Sequence, residues 1–500
     1  MATAEPTTEV NSGQSRILRN TTYLTGAFVL QKVVSFLYYI VVVNALGVSQ
    51  TGAYDPLKNL IPIALILIDF SLSQVVTREV ARKPNAIRNI LSNVLGIKIV
   101  FALIVMVAFG FVTNVGHFSH DVQSSLYLVA LIVGLDTFTL SFFAVLRGLQ
   151  NMKFEAMGLV LNQVLTVVVG YIAIRAHLGL RGIFFATMLG SVLNFSWATY
   201  SLHRLAKVWP TLKWEWTIIK PLLAMALPFA IAAMFTKLYA YSDRYLLLLL
   251  KGKDAVGFYA VANKLTFAWE FLPSAFAAGL YPALSAYYIT SKEKLSNTFE
   301  RALVYLLLLA VPMSIGIFVL ATGFINMAFQ AFFDPSALAL RILILSLPAV
   351  FLNYPVGALL NATNRTKYNT ISMGVTVLLN LSINALVVNH FSFLGAAFAT
   401  FICGFVLFAQ GLFWTRQVIT IPWRRLISRA LRTYGAAILA GLIIYPFRNS
   451  FNLLFMHRHV EVLVWVTVYA VLYAGALVFF KGVKKEELVA LGRIIRRKPA

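Results

Sequence analysis

Gly47-Val48-Ser49-Gln50-Thr51-Gly52-Ala53-Tyr54 and Gly252-Lys253-Asp254-Ala255-Val256-Gly257-Phe258-Tyr259 share the pattern G-x-x-x-x-G-x-Y. They lie about 205 residues apart, and each follows a long apolar run. Two further echoes keep the same order. Lys153-Phe154 answers Lys367-Tyr368, and Gly182-Ile183-Phe184-Phe185-Ala186-Thr187 answers Gly395-Ala396-Ala397-Phe398-Ala399-Thr400. Matches in one order at nearly constant offset mark an internal duplication. Six apolar runs fall in each copy and two more follow. An even number of crossings preserves direction, so the copies are expected to be related by a pseudo-two-fold axis along the membrane normal. Transporters built this way bind substrate between the halves and rock one against the other.

Composition supports a membrane chain. Of 500 residues 60% are hydrophobic and only 12% charged, whereas a soluble domain carries about 25% charged residues. A helix needs roughly 20 apolar residues to cross the bilayer. On that rule the sequence predicts an all-α polytopic protein with fourteen spans: 23–46, 57–77, 93–113, 124–146, 156–175, 182–203, 221–242, 255–284, 302–323, 338–361, 368–389, 394–415, 430–447 and 460–480. Interruptions are expected at Pro62, Pro228, Pro273, Pro312 and Pro348. The expected organisation is a cytoplasmic tail (1–19), a six-helix bundle (20–204), an interfacial linker rich in Trp and Lys (205–220), a second bundle (221–416), two additional spans (417–480) and a basic cytoplasmic tail (481–500). The polar start lacks the basic and apolar regions of a secretory signal, so it is expected to stay in the cytosol.

The formal net charge of +24 would suggest nucleic acid in a soluble protein. Sorted by alternate connections, however, about 29 Lys and Arg fall on one side and about 9 on the other. Most of the excess is therefore an orientation signal for a multi-pass protein of the cell membrane with both termini inside, with attraction to anionic lipid headgroups as a second effect. No nucleic-acid partner is expected.

Charges at bilayer depth are costly and tend to face a partner or an aqueous path. Lys32, Asp69, Asp136, Lys237, Lys264 and Glu270 are the candidate substrate-binding residues on this ground. For each, mutual pairing that pins helices is the competing reading. Arg78, Glu79, Arg82, Arg147, Lys153, Asp243 and Arg244 are candidates for gate or helix-end roles. Deep cations suit a substrate bearing phosphate or pyrophosphate. The sequence has no phosphate-binding G-x-x-x-x-G-K-[ST] loop, no H-E-x-x-H and no G-x-S-x-G. The single Cys403 excludes a disulfide framework. His457 and His459, in the last outer loop, make a weak metal pair. No enzyme activity, cofactor or metal is expected.

Asp69-Phe70-Ser71-Leu72-Ser73-Gln74-Val75-Val76-Thr77-Arg78-Glu79-Val80-Ala81-Arg82 resembles the D-x-G-L…R-E-x-A-R stretch at the end of the second helix of polysaccharide-biosynthesis membrane proteins, the oligosaccharide flippases or O-antigen translocases. Ser71 stands where Gly is usual. Ala45-Leu46-Gly47 to Tyr54, Phe143 to Arg147-Gly148-Leu149-Gln150-Asn151-Met152-Lys153, and Ser242-Asp243-Arg244 leading to Tyr259 agree with the same family. The resemblance spans nearly the whole chain. It implies membership of the multidrug/oligosaccharidyl-lipid/polysaccharide exporter superfamily, with two six-helix bundles around a central cavity. It further implies translocation of an undecaprenyl-diphosphate-linked oligosaccharide to the outer leaflet by alternating access, driven by an ion gradient or the membrane potential, with polymerase or glycosyltransferases as partners. A cation-coupled drug exporter, a lipid II-type flippase and a non-transporting scaffold remain as alternatives.

Overall fold

A computed structural model describes residues 7–116, 118–447, 458–480 and 482; for 7–22 and 458–459 only the backbone is considered. His117, His457 and most of the expected C-terminal tail lie outside this set. All regular structure among the described residues is helical. Helices α1 (Thr7–Asp69), α7 (Trp216–Phe267) and α13 (Thr366–Thr415) run for 63, 52 and 50 residues. At 1.5 Å per residue each is too long for one crossing. Each bends once, at Gly47 (φ 72°, ψ −178°), Gly252 (φ 82°, ψ −173°) and Ser392 (φ 52°, ψ −134°). The first two are the same glycine of the repeated G-x-x-x-x-G-x-Y motif. A Cβ at either would meet nothing within 4 Å, so the backbone conformation alone, nearly closed to side chains, requires glycine.

Single crossings are supplied by α3 (Ile87–Val115), α4 (His120–Gly148), α5 (Met152–Arg175), α6 (Gly179–Ala206), α9 (Lys292–Val319), α14 (Trp423–Ile444) and α15 (Arg458–Phe479). α8 (Phe271–Thr290) continues the second limb of α7 after a 3-10 turn at Ala268–Glu270. α11 (Ser336–Ile344) and α12 (Leu347–Ala362) form a pair bent by 42°. Divided at these bends, the described helices give fourteen crossings in the order six, six and two. α2 (Leu72–Arg82) and α10 (Ala321–Ala328) are too short to cross.

The bends of the three long helices do not fall at prolines, whereas Pro348 and Pro273 open the helices that follow the two shorter breaks. Pro62, Pro228 and Pro312 lie inside continuous helices, Pro348 opens α12, and Pro273 sits in the first turn of α8. A proline removes one backbone hydrogen bond, which neighbouring groups can absorb. A residue with positive φ redirects the chain itself. Besides the three bends, Phe70 (φ 46°) and Ser71 (φ 58°) do this between α1 and α2.

The chain forms two compact units, 1–242 and 243–500. The boundary lies within the first limb of α7 because its start packs on the first unit: Ile219, Leu222 and Ala226 join Leu72, Val76, Leu91 and Phe142 in one apolar cluster. Before it, residues 207–215 have no regular structure and are strapped to α3, with the Lys213 N–H donating to Ser92 O (3.2 Å) and the Glu215 N–H to Asn93 Oδ1 (2.7 Å). In the second unit the last two helices pack on α9. Tyr473 donates to Leu308 O (3.1 Å) and Tyr469 to Ala437 O (3.3 Å), beside Val319, Leu320, Ala440 and Ile444.

Candidate functional site

In the first unit, two motif stretches far apart in sequence touch. Thr77 Oγ1 donates to Ala144 O (3.2 Å), and a Cβ on Gly148 would lie 2.8 Å from Val80 Cβ. The apolar face of α2 (Leu72, Val75, Val76, Val80) is buried against α3 and α4, so the Arg147-Gly148 pair needs glycine for close approach. The corner before α2 is held by charge. Lys98 Nζ, fully buried on α3, lies 2.6 Å from Asp69 Oδ1. It also donates to Thr137 O (2.7 Å) and Ser73 Oγ (3.4 Å), and Ser73 Oγ donates to Asp69. Three acceptors saturate the ammonium, which is what a cation at this depth requires.

The other residues singled out in this unit are dispersed. Asp136, on α4, has one carboxylate oxygen buried without a hydrogen-bond partner. Arg147 Nε lies 3.5 Å from Glu155 Oε2, while Glu79 and Arg82 pair at 3.6 Å on the outer face of α2. Arg78 and Lys153 are exposed, as is Lys32. Lys237 is half-buried, its ammonium 5.8 Å from the centre of the Tyr241 ring.

In the second unit, Asp243 and Arg244 are buried at the centre of a polar cluster. The Asp243 carboxylate accepts from the Tyr259 hydroxyl, from Thr400 Oγ1 (3.1 Å) and from the Arg244 N–H (3.1 Å). Arg244 Nη2 donates to Asn263 Oδ1 (2.5 Å). Tyr259 and Thr400 belong to the first and third repeat echoes, so those echoes meet in space. The first unit does the same with different chemistry, the Tyr54 ring lying 5.6 Å from Phe184. Lys264 and Glu270 are half-buried on the second limb of α7 and in the turn that follows it. Among the described residues no group of three His, Cys, Asp or Glu is placed to hold a metal.

Counted from the bend glycines Gly47 and Gly252, the two repeats keep one register. Lys32 lies fifteen residues before Gly47 and Lys237 fifteen before Gly252, so both stand about 22 Å along the helix from the bend. They are the same residue of the duplicated unit. Tyr38 and Tyr39 correspond to Asp243 and Arg244, and Lys58 corresponds to Asn263. Each unit thus sets a cation over the motif tyrosine, from opposite limbs of the hairpin: Lys58 Nζ is 5.2 Å from the Tyr54 ring centre, and Arg244 Cζ is 5.9 Å from that of Tyr259. Lys58, Lys98 and Glu155 were not singled out from sequence. Lys98 lies inside a predicted span and was open to the same criterion that selected Lys32, whereas Lys58 and Glu155 fall at the edges of theirs, where depth gives no signal.

These features define a duplicated, fourteen-span helical membrane protein of the exporter type, with buried charge in both repeats. Comparison with known proteins makes the assignment specific. The family described as polysaccharide biosynthesis protein matches residues 17–288, and the MatE family matches 228–386. The chain belongs to the polysaccharide biosynthesis protein family, within the multidrug/oligosaccharidyl-lipid/polysaccharide exporter superfamily. It is 22% identical over 361 residues to the probable low-salt glycan biosynthesis flippase Agl15 of Haloferax volcanii, covering 71% of this chain and 74% of the relative. Among solved structures, the fold is similar to the lipid II flippase MurJ in an inward closed conformation (TM-score 0.73, 15% identity, 93% of this chain and 99% of that one). It is also similar to an inward-facing multidrug resistance MATE transporter (TM-score 0.63, 16% identity, 77% and 93%).

Proposed function

We propose that the protein is a flippase that carries an oligosaccharide linked to undecaprenyl diphosphate from the cytoplasmic to the outer leaflet of the cell membrane by alternating access, with both termini cytoplasmic. The observation that carries this reading is the repetition of one deep lysine, Lys32 and Lys237, at the same station of each repeat. A lysine at that depth is expensive in lipid, and its recurrence suits contact with an anionic cargo that passes through the membrane. The glycan flippase Agl15 among its relatives supports the same class of substrate. Polymerase or glycosyltransferases would supply and consume the cargo. Of the carboxylates that a cation-binding drug exporter could present, Asp69 is committed to Lys98 and Asp243 to Tyr259 and Thr400.

The test is complementation of a flippase-deficient strain. Lys32→Gln and Lys237→Gln, each inserted at wild-type level, are expected to reduce surface glycan at least tenfold, and Lys→Arg at either position to restore most of it. Full complementation by the doubly substituted Gln variant would sink the anionic-cargo mechanism.

A further inference from the structure

Between Asp334 and Glu461 the sequence contains no acidic residue, yet it carries Arg365, Lys367, Arg416, Arg424, Arg425, Arg429 and Arg432 near the inner ends of α12, α13 and α14. Three of these cations lie over aromatic rings. The Tyr368 ring stacks on Trp414 with centroids 4.3 Å apart. Arg365 Cζ lies 6.0 Å and Lys367 Nζ 5.3 Å from the centre of the same Tyr368 ring. Arg365 Nη1 donates to the Gln417 amide oxygen (2.5 Å), bringing it beside Arg416, which itself lies 5.3 Å from the Trp423 ring centre.

None of the three meets a carboxylate among the described residues. The start of α9 carries acidic residues and reaches this part of the chain, Ser296 Oγ donating to Thr420 O (3.1 Å); Glu293 and Glu300 flank that serine but form no ion pair with the three cations among the described residues. Cation–π contact leaves the N–H edges of these groups free to donate.

The duplicated corner of the first unit shows that the charge is not a requirement of the fold. There Lys153 and Phe154 repeat Lys367 and Tyr368, and Phe154 stacks on Trp197 with centroids 6.2 Å apart. Asn151 replaces Arg365, and the Arg147–Glu155 pair stands where the second unit has Asn361 and Asn369. The first corner pairs its arginine with a glutamate, and among the described residues the second has no such pair.

We propose that Arg365, Lys367 and Arg416 form a binding site for the phosphate of an anionic phospholipid headgroup at the inner end of the second unit. Arginine forks recognise phosphate through paired hydrogen bonds, stacked Trp and Tyr sit at headgroup level, and basic pockets between membrane helices take acidic headgroups. Assignment to the cytoplasmic leaflet rests on the orientation given above; binding itself does not depend on the transport reading.

The full chain is reconstituted in nanodiscs of phosphatidylcholine with phosphatidylglycerol, and the lipids it retains are counted by native mass spectrometry. Wild type is expected to enrich phosphatidylglycerol over phosphatidylcholine. Each Arg365→Gln, Lys367→Gln or Arg416→Gln change should lower the enrichment about fivefold, Arg365→Lys should retain more than Arg365→Gln, and Lys153→Gln should leave it unchanged. The single variants serve if the triple one does not fold. Absence of enrichment in wild type, or its persistence in all three single variants, overturns the proposal. So does binding of inorganic pyrophosphate in pure phosphatidylcholine discs without phosphatidylglycerol enrichment, which would make the ligand a soluble phosphate.

Discussion

Lys98 shows how a buried charge is made tolerable. Its ammonium has a carboxylate, a hydroxyl and a backbone carbonyl as acceptors, and it ties α3 to the corner where Phe70 and Ser71 adopt left-handed backbone angles. Removing one partner leaves the other charge buried and uncompensated, a loss of about 3–5 kcal/mol. Lys98→Met and Asp69→Asn are each expected to lower thermal stability in detergent strongly. The pair Asp69→Leu with Lys98→Met should recover much of the loss, because an apolar pair of similar volume has no desolvation cost to meet. Equal destabilisation in the single and double variants would show that the pair contributes no coupling. Asp69 was selectable from sequence as a deep acid. Its partner was not connected to it, since Asp69 ends α1 and Lys98 lies a turn and a short helix further on, and only the packing of α2 against α3 and α4 brings them together.

At the scale of elements, the bends are what turn long helices into hairpins. Gly47 and Gly252 have space for a side chain but a backbone conformation that resists one. Gly47→Ala and Gly252→Ala are therefore expected to cost about 1–3 kcal/mol each, by the same amount at both sites, read as matched losses in thermal unfolding. A large loss at one and none at the other would mean that the repeats are not structurally equivalent. The motif glycines were visible as a repeat before their φ angles were known. The bends at Gly47, Gly252 and Ser392 fall in the connections expected between spans, but the conformation that makes them was not legible: Pro62, Pro228 and Pro312 stay inside helices, while Ser392 bends α13 with no glycine or proline at that position.

For the whole molecule, the proposed orientation rests on charge counted over alternate connections. Fully buried Cys403 permits selective labelling of introduced cysteines. With Cys403→Ala as background, Ser119→Cys is expected to react with an impermeant thiol reagent added outside intact cells, and Ser291→Cys only after permeabilisation. The reverse pattern would invert the proposed direction of transport. Buried apolar helix faces do not by themselves choose neighbours in lipid. The two echoes that meet in each unit, Tyr54 with Phe184 and Tyr259 with Thr400, show what does: a ring contact in one repeat and a hydrogen bond in the other, each joining the same two motif segments.

The sequence by itself determined that this is a membrane protein, that it is duplicated in blocks of six spans, and which family it resembles. Hydropathy, charge bias and motif spacing are one-dimensional properties, set by the thickness and asymmetry of the bilayer. Tertiary structure alone decided which charges are spent on each other and which are left open. Asp69 is closed by Lys98 and Asp243 by its hydroxyl donors, while Arg365, Lys367 and Arg416 lie over aromatic rings with no carboxylate partner among the described residues. Pairing depends on which helix faces meet, and linear order does not encode that.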